Sequence, residues 1–581
     1  MNKNKKTQYI PMNTKIFIPI VFAVLLAACN KGNVLDQVQT TDLNEATTFS
    51  DSARTLQFLT RIYTDLNLSA SPQRLGGSIG IYSIGDEVES NLQSGTAYNI
   101  IFQTGAVSAL NIPTDAWEVS YANIRRVNVY LKNLPNTPLS AALKRRTEGE
   151  ARFMRAWYYF IMLKHYGGIP LIGDAVFTPT DEIPGKRATF EECVNYIASE
   201  CDAAAALLPL SYSGLDYGRI TKGACLALKS RLLLYAASPL FNGRTDENDH
   251  GVLGYPTPDA SRWEKAARAA LDVINLNQYS LMEIDSPPGY GFQKVFVTRK
   301  NNEYILAYMT GNNRTLENMW DPATRGGNGS SMPYQELVDA FGTINGKPIT
   351  EDLKSPTNPN GYDPANPYIN RDPRLAYTIL FNGGTRLDVN RTVTPVYTYV
   401  GAAQDGFPIT KTGYYLRKML DENTIASTTS SPTERCFPLL RYAEILLNYA
   451  EASNEIGDIN TAYAQIKAIR KRAGINPGDD GNYGLRQNMT KDEMREVIQN
   501  ERRVELAIEE HRYWDVRRWK IAERVSNKPL HGMRITRNGD TYTYETVVIR
   551  TPVFVAPKWY LWPIPQGEIN KSLELEQNPG W

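Results

Sequence analysis

The chain has 581 residues, with 63 Lys and Arg against 62 Asp and Glu, for a formal net charge of +1. That balance, without a basic stripe, argues against a nucleic-acid partner, because such proteins gather lysine and arginine on one face. Four histidines and five cysteines leave little for zinc or redox chemistry, whereas 34 tyrosines and nine tryptophans supply flat apolar faces with polar tips, useful in cores and at wet binding surfaces.

The N-terminus carries Lys3, Lys5, Lys6 and Lys15, and then the apolar run "IFIPIVFAVLLAAC". From Ile16 to Ala28 this run is too short for a bilayer core, which takes roughly 20 helical residues, but it suits the apolar segment of a signal peptide. It stops at Leu26-Ala27-Ala28-Cys29, which resembles a bacterial lipobox. A plain secretory signal with a chance cysteine is the alternative, yet it has no use for a thiol, whereas lipid attachment needs that nucleophile. We therefore expect a lipoprotein signal peptide over residues 1–28, acylation of Cys29, and a lipidated linker over residues 29–50. Each buried methylene adds about 0.8 kcal/mol, so several acyl chains hold a protein at a membrane. Cys193, Cys201, Cys225 and Cys436 remain. The first two fall on one predicted helix with about 12 Å of rise between them, beyond disulfide reach, and all four read as buried, inert thiols.

Helices dominate residues 51–286. A helix from about Trp117 to Leu134 precedes "EARFMRAWYYFIMLKHYGGIPL", where Met154, Trp157, Tyr158, Ile161 and His165 form a stripe of 3.6-residue period. Gly167-Gly168 and Pro170 end it. Further helices are expected over 190–208, 222–237 and 262–275. From residue 287 to 433 the chain turns rich in Gly, Pro, Asn and Tyr, with only short apolar stretches. So long a loop-rich segment is uncommon unless functional or disordered, and its aromatic content argues against disorder. Helices resume over 434–581, with Tyr442, Ile445, Leu446 and Tyr449 on one face, a turn at Gly457-Asp458, and a capping box at Thr490 and Glu493. Helical hairpins of this size look like tetratricopeptide units, although no strict period is present. The expected fold is mostly α: a tetratricopeptide-like helical-hairpin scaffold with a large irregular insert carrying short strands.

In order along the chain stand "EGEARFMRAWYYFIMLKHYGGIPL", "KGACLALKSRLLLYAA", "RDPRL", "RYAEILLNYAEASNEIG", "IRKRAG", "ERRVELAIEEHRYWDVRRW" and "YLWPIPQGEINKSLELEQNPGW". This ordered set behind a lipobox resembles the SusD/RagB family, the nutrient-binding outer-membrane lipoproteins of Bacteroidetes. The resemblance implies a helical-repeat scaffold that is lipid-anchored at the outer membrane and faces the cell exterior. It also implies a SusC-like TonB-dependent transporter as partner, and a glycan, or in RagB-like members a peptide, as ligand on the loop face.

The carboxylates of "ERRVELAIEEHRYWDVRRW" lie on an apolar helix face and call for arginine partners, because an unpaired buried charge is costly. His165, at the end of an apolar stripe, reads as a core residue. A glycosidase needs two carboxyls across a cleft; Asp86, Glu87, Glu89 and Asp321 are the nearest candidates, but no spacing marks them, and no nucleophile, zinc or phosphate-loop motif is present. We expect no catalysis and no cofactor beyond the lipid on Cys29. The oxygen-rich "NPNGYDPANPYINRD" is compatible with a loop-bound divalent cation. Glycan binding needs aromatic platforms with polar neighbours, and aromatics outside the helical stripes are the candidates. These are Tyr82 near Asp86, Tyr98 with Asn99, Tyr290 and Phe292 in "PPGYGF", and Trp320 flanked by Asn313 and Arg314.

Overall fold

The computed structural model describes residues 44–244, 250–428 and 431–581; the leader and Cys29 lie outside them. The helix Ala141–Tyr166 is the axis of the fold. Its N-cap Ser140 accepts a hydrogen bond from the Leu143 N–H, and Gly167, at φ +80°, closes its C-terminus by donating to the Leu163 carbonyl at 3.0 Å. The expected stripe understates its burial: from Phe153 to Tyr166 every residue is buried, with apolar side chains on most sides and the buried Arg155 paired to Glu200 at 2.8 Å. Trp157 donates to the Leu66 carbonyl at 3.1 Å and Tyr158 to the Ile62 carbonyl at 2.8 Å, fastening the helix Ser52–Tyr63 across it. Gly149 permits a close crossing, for a Cβ there would lie 2.7 Å from Leu208 Cγ.

Antiparallel neighbours extend the scaffold: Asp115–Asn133 before the axis, then Phe190–Leu207, Lys222–Ala237 and Ser261–Ile274 after it. Tyr442–Glu455 packs on Lys222–Ala237 and Ser261–Ile274, and Ile459–Ala473 and Lys491–Glu505 follow. Thr189 with Glu192 and Thr490 with Glu493 both form reciprocal capping boxes. The fold is thus the helical-hairpin scaffold expected, and Cys193, Cys201, Cys225 and Cys436 are buried, free thiols.

The irregular segment is fastened at its base, where Tyr304–Asn313 pairs antiparallel with Thr433–Arg441. It owns a core of Phe292, Trp320, Leu337, Phe341, Tyr414 and their neighbours, which the N-terminal Tyr82 and Val88 join. Residues 434–581, expected to be helical, also contain a two-stranded hairpin, Leu530–Asn538 with Thr541–Arg550. Its "TYTYETVVIR" alternates with period two, which suits a half-exposed strand and not a helix.

Buried ion pairs join these parts. Arg374 of "RDPRL" reaches Glu501 at 2.7 Å and Glu505 at 2.9 Å. Arg441 binds Glu303 and Glu505 at 2.7 Å each and Glu509 at 2.6 Å. The arginine partners expected for this helix are therefore present, supplied by the insert and by the strand that closes it. His165 is buried; its Nδ1 lies 2.6 Å from the Ile161 carbonyl and its Nε2 3.0 Å from Arg74. Burial, then the nearby Arg74 charge, hold it well below the usual histidine range, so it is neutral, with Nδ1–H donating to the carbonyl.

Candidate ligand-binding face

A short antiparallel pairing builds the centre of the loop face. Val88–Ser90 pairs with Ser331–Pro333, so the N-terminal loop and the insert meet edge to edge. Asn91 continues the contact, its N–H donating to the Ser330 carbonyl at 3.1 Å and its side chain to the Asn328 carbonyl at 3.4 Å. Beyond it residues 91–96 are exposed. Glu89 lies beneath, fully buried, receiving Arg550 of the hairpin at 2.8 and 3.0 Å, Gln93 at 2.9 Å, and the Tyr334 hydroxyl. Those donors hold its carboxyl below the usual range, against the upward push of burial. Three segments distant in sequence are thereby locked to one carboxylate.

Most residues expected as ligand platforms prove to be the floor under this face. Trp320 is 1% exposed, because residues 315–320 form a helical turn that buries Leu316, Met319 and Trp320 together. Tyr82 is buried edge-on against it, with ring centroids 6.1 Å apart. Phe292 packs on Phe296 within the helix Tyr290–Val297 and is wholly buried. Asp86 is consumed by Arg512 at 2.7 Å and Arg503 at 3.3 Å. Asn99 is buried and spends its side-chain N–H on the Leu92 carbonyl at 2.9 Å. The expectation that these five contact a ligand is corrected, since none offers a face to solvent. Asn313 is half-buried and accepts from the Thr315 N–H at 3.1 Å, so it steadies the turn leading to Trp320. Arg314 is half-buried beside it, and Tyr98 and Tyr290 keep part of their rings accessible.

The candidate carboxyls are likewise engaged. Asp321 holds Arg386 at 2.8 and 3.0 Å. Glu87, buried, accepts from the Ile508 N–H at 3.0 Å, and burial pushes it up to about 7. In the oxygen-rich segment Asn358 donates to Asp352 at 2.9 Å, and Asp363 accepts from the Ala365 N–H and from Lys354 at 3.0 Å each. No three His, Cys, Asp or Glu side chains gather as a metal cluster among the described residues.

The accessible aromatic surface lies where the sequence reading did not look. Tyr397 is 41% exposed, its ring centroid 5.7 Å from that of Tyr399, which stands 5.9 Å from that of Tyr542 on the hairpin. Arg537 lies 5.6 Å from the centre of the Tyr399 ring and donates to its hydroxyl at 3.3 Å. Behind this row Tyr368 stacks on Phe381 at 4.4 Å and meets Tyr544 edge-on at 5.9 Å. Strand alternation explains it: Tyr542 and Tyr544 take one side of the strand and Thr541 and Thr543 the other. The Val400 N–H, donating to the Ile535 carbonyl at 2.8 Å, docks "TPVYTYV" against the hairpin. Two Tyr-Thr-Tyr triplets were the signal in the sequence. A cavity of about 1080 Å³ lies apart from this face; it is lined by Trp117, Tyr121, Phe177 and Leu573 among others, and by no residue of the insert or hairpin.

The comparisons with known proteins agree with this architecture. A family profile described as "SusD family" matches residues 293–581, and one described as "Starch-binding associating with outer membrane" matches residues 36–234. SusD-like protein P38 of Formosa agariphila is 24% identical over 427 residues, covering 72% of this chain and 74% of that protein. The crystal structure of a SusD-like protein of Bacteroides fragilis superposes with a TM-score of 0.75 at 28% identity, over 92% of this chain and 98% of that one. A laminarin-binding SusD-like protein, at 19% identity, shares the fold with a TM-score of 0.63 over 92% of this chain and 100% of its own. From the central helix to the "YLWPIP" tail, the chain belongs to the SusD family.

Proposed function

We propose that the protein is a surface-exposed lipoprotein, acylated at Cys29, that binds oligo- or polysaccharide on its loop face and delivers it to a SusC-like TonB-dependent outer-membrane transporter. One observation carries the ligand assignment: the row Tyr397–Tyr399–Tyr542, exposed at Tyr397 and half-buried at Tyr399 and Tyr542, with Arg537 at its edge. A pyranose ring has an apolar C–H side that lies on a tyrosine face and hydroxyls that seek donors and acceptors around it. Arg537, which donates to the Tyr399 hydroxyl, supplies such a group beside the rings. The name of the laminarin-binding relative supports the same class of ligand.

The paired segments under the face suit binding more than catalysis, because the carboxyls near it are committed to arginines and backbone donors. The soluble chain begun after Cys29, screened on an array of glycans and peptides, tests this reading. Retention of one or more saccharides supports it; retention of peptides alone replaces it with a peptide receptor. Co-purification of the acylated protein with an outer-membrane transporter tests the partner.

A further inference from the structure

A second aromatic surface stands on the insert, apart from the tyrosine row. Tyr290 and Tyr377 lie with ring centroids 6.3 Å apart, inclined at 44°. Gly289 makes this approach feasible: a Cβ there would lie 2.9 Å from Pro373 Cβ and 3.1 Å from Tyr377 Cε2. Lys294 sits 4.7 Å from the centre of the Tyr290 ring. Its ammonium and the Tyr290 hydroxyl both donate to Glu422 Oε1 at 2.8 Å, which fixes the geometry of this edge.

Arg417 completes the group. It follows the strand Tyr415–Leu416, which pairs with Ile379–Leu380, and its N–H donates to the Thr378 carbonyl at 2.9 Å, beside Tyr377. Its side chain is half-buried, yet the guanidinium makes no hydrogen bond or ion pair among the described residues. The carboxylates nearby are committed elsewhere: Asp321 to Arg386, Glu422 to Lys294, and Asp421 to the Asn423 N–H at 2.8 Å. Burial, then the charge of Arg386, push Arg417 down to about 10, so it stays cationic at neutral pH. By contrast Arg374, Arg386, Arg441, Arg512 and Arg550 each meet a carboxylate. The Arg417 guanidinium, part-exposed and without a protein acceptor, is open to a ligand, and its planar fork matches carboxylate and sulfate oxygens.

We propose that this surface is a subsite for an acidic sugar, in which Arg417 receives a carboxylate or sulfate group while Tyr290 and Tyr377 contact the ring. The inference rests on the carbohydrate reading above and names the charge class of ligand. Titration calorimetry on the soluble chain tests it, with oligogalacturonate as the carboxylate probe, sulfated galactan oligosaccharide as the sulfate probe, and neutral galactan oligosaccharide as control. At least one acidic probe is expected to bind tenfold or more tighter than the neutral one, and more weakly as salt rises. In Arg417→Gln that preference falls to within about twofold, while the melting temperature holds, since the guanidinium makes no hydrogen bond or ion pair within the fold. The carboxylate and sulfate arms separate the two sources of the oxyanion. Equal affinity of wild type and Arg417→Gln for the acidic probe overturns the subsite, as does a wild-type preference for the neutral one. Binding of neutral glycans with no acidic preference would leave the carbohydrate reading standing and remove this inference alone. Failure to bind any saccharide would remove both.

Discussion

Arg550 closes on Glu89 across 461 positions of chain, with two hydrogen bonds of 2.8 and 3.0 Å. This pair joins the hairpin to the loop that pairs with the insert, and so fixes the outline of the proposed binding face. Arg550→Met leaves a buried carboxylate with only Gln93 and Tyr334, and breaking a buried pair from one side costs about 3–5 kcal/mol. Because part of Arg550 is exposed, the lower end of that range is expected. Thermal unfolding checks it: Arg550→Met lowers the melting temperature, and adding Glu89→Gln restores part of the loss. Equal losses in the single and double variants would show that the pair does not hold the face.

Glu87 gives a pH signature of opposite sign to its neighbours. Burial raises its folded-state pKa to about 7 from an ordinary 4.5. Its contribution to stability is therefore full below about pH 4.5 and is lost as pH rises towards 7. Glu87→Gln is expected to stabilise the protein at pH 8, by up to about 3 kcal/mol at 1.36 kcal/mol per unit, and to be neutral near pH 4. Denaturant unfolding at both pH values checks this; an equal effect at each would contradict it.

Glu505 behaves in the other direction. Arg472, Arg441 and Arg374 hold its carboxyl far below the ordinary range despite burial's upward push. Its stabilisation is present above about pH 4.5 and is lost as pH falls towards its folded value. Glu505→Gln is expected to cost about 3–5 kcal/mol at pH 7, with the deficit shrinking in acid. Urea midpoints from pH 7 to pH 3 follow it, and a constant deficit would contradict the assignment.

Trp320 is expected to govern stability and leave binding untouched. Truncating a buried tryptophan costs about 3–5 kcal/mol, so Trp320→Ala should lower the melting temperature sharply. Conservative Trp320→Phe should retain saccharide affinity. Loss of affinity in Trp320→Phe at unchanged stability would return this ring to the ligand.

The contrast between Trp320 and Lys222–Ala237 shows what the sequence made legible. The bounds of that helix were readable because Thr221, the helix-forming run and Pro239 act within a few residues. The capping box of Thr490 and Glu493 is local in the same way. Trp320 is buried by Tyr82 and the rest of the insert core, partners set by tertiary pairing far along the chain. Loop composition predicted exposure, but the core made from those loops won. The helix carrying Glu501 and Glu505 announced that arginines must meet it, yet nothing local named Arg374 or Arg441. The tyrosine row was readable in principle, since two Tyr-Thr-Tyr triplets carry a strand period; that they face each other depends on how the 397–400 segment docks on the hairpin.

The central claim is that the row Tyr397–Tyr399–Tyr542 binds saccharide, and titration calorimetry of Tyr399→Ala/Tyr542→Ala against the wild-type soluble chain tests it most directly. With a saccharide retained by the wild type, the variant is expected to keep its melting temperature within a few degrees and to lose at least about 2 kcal/mol of affinity, roughly thirtyfold. Unchanged affinity in a folded variant would contradict the account.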